Sequence, residues 1–319
     1  MRRPRVKVDG EGFYHVVSRI GGRRFLLDEA EKGVLLGMIR AAAAFSGVEL
    51  YTFAVMSNHF HLLVRVPRRR EVPEGELLRR TEALYGGPRF RKVVEKWDKW
   101  EKKGEGARVA EEKSRLRARM YDLSQFCKTF KEAYTQDYNK RHDNTGTIWE
   151  GRFKSILVEG SRRALMTVAG YIHLNPVRAG VVERPEEACS AGYGAACQGD
   201  GVARRGLVAL AGRGGAWKEP TWEEARRACA DAMEGRIPGR SPPEEAPAGS
   251  GGEGAPRTMR ELLRRRAAGF LHGGALGGER FLRRVAGLLP PRARRRSEGL
   301  FDRCPFLELK SAAGVREAS

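Results

Sequence analysis

Five cysteines, an odd number with no C-x-x-C pair among them, offer neither a disulfide framework nor a zinc finger, so a reducing, cytoplasmic setting is expected. Long apolar runs are missing too. The most apolar helix candidate, from Val34 to Phe45, is broken by Arg40 and falls short of the ~20 residues a membrane span needs. No apolar segment follows Met1-Arg2-Arg3-Pro4, so no secretory signal is expected, and no P-loop is found for nucleotide chemistry. Acidic residues are scarce beside basic ones: 40 Asp and Glu against 60 Lys and Arg leave a formal charge of +20 in 319 residues. Such an excess implies a polyanionic partner, nucleic acid first and an acidic membrane surface second.

What the chain does have is Met56-Ser57-Asn58-His59-Phe60-His61-Leu62-Leu63-Val64-Arg65-Val66. Alternation predicts a strand with Phe60, Leu62, Val64 and Val66 on a wholly apolar face. His59 and His61 then project together from the other face, as metal ligands or as two ordinary strand histidines.

Around this strand the pattern predicts a strand at 13–20, then a helix from Asp28 to about Ser46 closed by Gly47. A strand at 49–55 should form a hairpin with the histidine strand. After Pro67 comes a mobile or helical insertion at about 68–113, very polar from Arg89 onward. A long helix is expected from Ser114 to Lys140, a strand from Arg152 to Glu159, and a helix from Gly160-Ser161 to about Leu174. The order β-α-β-β-α-β is the ferredoxin-like α+β arrangement, an antiparallel sheet with helices on one face. The histidines would then lie on the opposite, open face. Residues 1–195 form this domain and 196–237 an extension with a helix near Trp222–Met233. The Pro/Gly-rich stretch 238–256 is a linker. A basic module occupies 257–319, where Arg257–Arg303 holds thirteen arginines against four acids, the balance expected of phosphate contacts.

Two further segments bear on chemistry. In Gly170-Tyr171-Ile172-His173-Leu174-Asn175-Pro176-Val177-Arg178, Tyr171 and Asn175 are four apart and share a helix face. A tyrosine is a nucleophile once deprotonated. The Asn175 amide oxygen would complete a two-histidine, one-oxygen set suited to Mg²⁺ or Mn²⁺ rather than zinc. Asn175 ahead of Pro176 also reads as the N-cap of a short helix, with Pro176 pressing it out of the α region. In Trp149-Glu150-Gly151-Arg152-Phe153-Lys154, as in Tyr138-Asn139-Lys140-Arg141, aromatic and basic residues interleave as in surfaces that stack bases and hold phosphates.

These motifs resemble the IS200-like, single-tyrosine HUH transposases, and among them the REP-associated tyrosine transposases. The matching segments are Met56–Leu63, Trp149–Ser155 and Tyr171–Gly180, within about residues 10–195. The resemblance implies an HUH fold and metal-dependent cleavage of single-stranded DNA, with a 5′-phosphotyrosine on Tyr171 and a free 3′-OH. It carries His59 and His61 over as metal ligands and Asn175 as the third ligand, where relatives often have Gln. Trp149, Arg152, Lys154, Tyr138, Lys140, Arg141 and Arg178 would then contact DNA. It further implies hairpin substrates with a flanking tetranucleotide, and a monomer or homodimer. A catalytically silent DNA- or RNA-binding regulator of the same fold remains the alternative.

Overall fold

The computed structural model describes residues 8–213, 219–234, 273–277, 280–281, 284–285 and 307–310. The linker expected at 238–256 and most of the basic module lie outside them.

Strands β1 (Gly12–Arg19), β2 (Glu49–Val55), β3 (His59–Val66) and β4 (Lys154–Val158) form an antiparallel sheet in the order β2-β3-β1-β4. The expected α+β, ferredoxin-like arrangement is therefore what the chain adopts. Helices α1 (Glu29–Ser46) and α5 (Leu123–Arg141) cover the apolar face, where Phe60 packs edge-on against Phe130 at 5.5 Å. The start of α1 is capped by the Asp28 carboxylate accepting from Glu31 N–H. Its end is Gly47, at φ 72°, a left-handed conformation that suits a residue without Cβ.

The long helix expected from Ser114 is two helices, α4 (Gly106–Ala118) and α5. Tyr121 adopts φ 55°, and the Asp122 carboxylate caps the N–H groups of Ser124 and Gln125, so the chain restarts there. The apolar stripe is correspondingly divided. Leu116 and Met120 join a satellite core with Phe45, Leu77, Trp97 and Val109, whereas Phe126, Phe130 and Tyr134 enter the main one. The insertion is thus a three-helix module of α2 (Glu74–Tyr85), α3 (Gly87–Lys102) and α4.

The second face of the sheet is not open. Helix α6 (Arg162–His173) lies on it, with α7 (Asn175–Arg178), α8 (Gly192–Cys197), α9 (Gly201–Ala211) and α10 (Trp222–Glu234) packed around. His173 binds Thr52 Oγ1 of β2 at 2.7 Å. A Cβ on Gly170 would come within 3.1 Å of the Ala232 carbonyl, so α10 presses directly on α6. Of these, α6 and α10 match the helices expected to about Leu174 and near Trp222–Met233, whereas α8 and α9 come from residues where the sequence pattern is weak. Of the basic module, β5 (Gly273–Gly277) joins the sheet parallel to β4, and β6 (Leu307–Lys310) pairs antiparallel with β5. Val285 also enters the main core.

On the α1/α5 face, buried Glu31 ties the two helices together. Its carboxylate accepts from Tyr134 Oη at 2.7 Å, from Arg141 at both oxygens, and from His142 at 2.7 Å. The Arg141 hydrogen bond is the main reason its acid is held down to about 2. Because the folded value lies below the ordinary one, the ion pair stabilises the fold fully above pH 4.5 and is lost as pH falls towards 2. A depression of that size is worth on the order of 3 kcal/mol. Glu31→Gln is therefore expected to lose about that much at pH 7 and almost none near pH 2. Denaturant titrations of both proteins across this range would show it, and a deficit that persists at pH 2 would contradict it.

Candidate active site

The registration of β1 on β3 builds the site. Val17 stands opposite His61, Arg19 opposite His59 and His15 opposite Leu63, so His15, Val17 and Arg19 share the face of the histidine pair. His15 Nε2 meets His61 Nδ1 at 2.9 Å, with the two rings stacked and their centroids 5.1 Å apart. Both residues are 1% exposed. His59 is half-buried, edge-on to His61 at 5.0 Å, and its Nδ1 contacts Asn58 Oδ1 at 2.7 Å. An amide oxygen only accepts, so His59 Nδ1 carries the proton and Nε2 keeps the lone pair. In both histidines, Nδ1 is tied to a neighbour, the arrangement that orients metal-binding imidazoles.

Burial pushes His59 down to about 4, with the Arg19 charge adding to the effect. His61 is pushed well below the usual range by burial first and then by His15. Both rings are therefore neutral near pH 7 and present lone pairs.

Tyr171 comes from α6, above the strands. Its ring is edge-on to His61 at 5.6 Å and to His15 at 5.8 Å, and it is buried. Burial raises its phenol above the ordinary value. The charge of Arg178 and its hydrogen bond to the tyrosine, the charge of Arg19 and a hydrogen bond from Asn175 all pull the other way. The Arg178 guanidinium lies 5.4 Å from the ring centroid, and Arg178 is itself solvent-exposed. Asn175 is not pushed out of the α region by Pro176: it is the first residue of α7. Its Nδ2 donates back to Tyr171 O at 2.8 Å, a bond that does not use its side-chain oxygen.

Among the described residues no cluster of three or more His, Cys, Asp or Glu is placed to hold a metal ion. The candidate donors are the two neutral imidazoles of His59 and His61, 5.0 Å apart between ring centroids, and the Asn175 side-chain oxygen, which the bonds to Tyr171 O and Ile172 O leave unused. Such a set fits a hard divalent ion that takes further ligands from water or phosphate.

The expected DNA-contacting residues divide. Trp149 is core rather than a stacking platform: it packs on Phe60 at 5.7 Å, and its indole N–H reaches Lys131 O and Thr135 Oγ1. Tyr138 is buried against His142, with ring centroids 4.2 Å apart, and Arg141 is engaged by Glu31. These three lie across the sheet from the histidines, as does exposed Lys140 on the same helix. Arg152 and Lys154 are exposed, and Lys154 stands opposite Val17 on the histidine face. Arg178 is at the tyrosine. Sequence reasoning gave His15 and Arg19 no role. The alternation of β1 could have placed both on one face, but only its pairing with β3 shows which face.

The chain is thus an α+β domain that buries one tyrosine against a histidine pair on the inner strands of a ferredoxin-like sheet. Residues 11–75 match the family described as Transposase IS200 like, which supports a DNA transposase function. That match contains the His59–His61 strand; the motifs at 149–155 and 171–180 lie beyond it. Among solved structures, a REP-associated tyrosine transposase bound to a REP hairpin is similar, with a TM-score of 0.39 and 16% identity over 61% of this chain and 84% of that one. No curated protein matches the chain. No helix among the described residues is long and apolar enough to cross a membrane.

Proposed function

We propose that this protein cleaves and rejoins single-stranded DNA at hairpin repeats, with Tyr171 as nucleophile and Mg²⁺ or Mn²⁺ held by His59, His61 and Asn175. The observation that carries this reading is Tyr171 set between the His15–His61 pair and Arg178, its hydroxyl within reach of Asn175.

In the reaction, Tyr171 Oη gives its proton to water and attacks phosphorus, and the departing 3′-oxygen takes a proton from water in turn. The P–O3′ bond breaks, leaving a 3′-OH and a 5′-phosphotyrosine. Attack by a 3′-OH on that ester reverses the step, so joining needs no nucleotide. A divalent ion held by His59, His61 and Asn175 would supply charge neutralisation at the phosphate. Arg178 and Arg19 bring two positive charges to the same place, favouring the phenolate and holding the phosphate. Lys154 adds a further cation on the histidine face, with exposed Arg152 two residues before it. A binding-only regulator would need neither a nucleophile nor paired imidazoles tied at Nδ1, and this chain retains both.

The test is a hairpin-bearing single strand labelled 3′ of the cut. With Mg²⁺ or Mn²⁺ the label should migrate with the denatured protein. No adduct and no cleaved strand across a panel of hairpins with varied flanks would overturn the reading.

A further inference from the structure

Helix α3 carries Arg89, Lys92, Lys96, Lys99 and Lys103 at intervals of three, four, three and four, the last being its C-cap. On a helix these positions form one stripe, roughly 20 Å long at 1.5 Å per residue, with no acid within it. Arg89, Lys92, Lys99 and Lys103 are exposed, and none forms a salt bridge among the described residues. Lys96 pairs with Glu112 at 2.6 Å. The face beside the stripe holds the module to its satellite core through Trp97 and Val93. The folded module thus exposes a cationic rod that the catalytic reading leaves unused.

We infer that this stripe binds the phosphate backbone of duplex DNA flanking the cleavage site, an assignment that rests on the proposed function for the identity of the DNA. Charge selects the partner. Its form follows from the side chains. Four of the five are lysines, point charges that grip phosphates without reading bases. The neighbouring aromatic, Trp100, is already sandwiched, with Lys96 Nζ at 4.9 Å and Arg108 Cζ at 4.4 Å from its ring. It lines a cavity of about 450 Å³ within the module, away from the histidines. A surface for single strands would offer free rings on which bases stack. This one offers a straight row of charge, which suits the regular backbone of a duplex.

The placement of the module sets the range. It docks at the far end of α1, where Arg80 Nη1 donates to Phe45 O and Tyr121 N–H to Ser46 O. The other end of α1 adjoins the active site, since Leu27 N–H donates to Ser57 O two residues before His59. Eighteen residues of helix separate them, about 27 Å. At 3.4 Å per step that is about 8 base pairs. The stripe therefore engages only DNA that extends at least that far from the cut.

The experiment uses the full chain and its triple variant Lys92→Gln/Lys99→Gln/Lys103→Gln, whose equal melting midpoint shows that the fold is intact. Each binds two hairpin DNAs, with about 4 or about 16 base pairs beside the cleavage site. On the long DNA the variant should bind at least tenfold more weakly at low salt. Its log–log salt slope should be shallower by roughly 2.7, or 0.9 for each lost contact. On the short DNA, binding and adduct formation should equal those of the unaltered protein. An unchanged slope on long DNA overturns the inference. So does an equal loss on both DNAs, which would place the stripe at the tyrosine. Loss of binding to phosphatidylserine vesicles with DNA binding intact would assign the stripe to an anionic membrane instead. Because the readout is binding, a slope change in a protein that cleaves nothing would uphold the stripe and sink the catalytic reading alone.

Discussion

Tyr171→Phe should abolish the covalent protein–DNA adduct and lower strand cleavage by ~10⁴-fold or more, the scale on which loss of a nucleophile acts, while hairpin binding stays within about twofold. The ring is what packs against His15 and His61, and phenylalanine keeps it. Only the oxygen is lost, together with its bonds to Arg178 and Asn175. One such bond is worth about 1 kcal/mol, so the fold should survive. Tyr134 and Tyr138 are the competing phenols, and the structure sets both across the sheet. Tyr134 donates to Glu31, and its phenol is raised by burial and by that carboxylate, both of which oppose a phenolate. Tyr138→Phe should retain cleavage. Trapping the adduct on a denaturing gel and mapping the modified peptide decides the matter: DNA on any tyrosine other than Tyr171 removes the assignment.

His61→Ala should eliminate both cleavage and tight Mn²⁺ binding, and His59→Ala should come close to it. Both are neutral near pH 7, and His59, whose Nδ1 donates to Asn58 Oδ1, keeps its Nε2 lone pair for an ion. His15→Ala leaves both ligands in place but releases the His61 ring. A 10- to 100-fold loss of metal affinity is expected, the usual effect of removing a group that orients a ligand. Titrating each variant with Mn²⁺ and following the electron paramagnetic resonance signal of the free ion reads affinity independently of cleavage. Undiminished cleavage in excess chelator would end the metal hypothesis, and unaltered Mn²⁺ affinity in His15→Ala would leave that residue a packing role only.

Alternation along 59–66 and the helical spacing of 29–46 are local properties, and the folded chain reproduces both elements. The order of elements, the shared face of His59 and His61, and the spacing of Tyr171 and Asn175 follow from period alone. The break at Tyr121-Asp122 escaped because the apolar spacing runs on across it. A cap and one left-handed residue end the helix without disturbing the pattern. Trp149 and Tyr138 looked like a stacking surface because interleaved aromatic and basic residues carry no sign of which side of the sheet they meet.

The sequence by itself determined the strand–helix order, the pairing of His59 with His61 on one face, and a charge that calls for a polyanion. Tertiary structure alone decided that α6 closes that face, bringing Tyr171 onto rings 110 and more residues earlier in the chain. It also set His15 and Arg19 beside the pair through cross-strand register, and turned a polar insertion into a rod with a row of lysines on one side. The physical reason is the same in each case. Period and propensity act over a few residues and are written locally, whereas which surfaces meet depends on apolar area contributed by segments far apart in the chain.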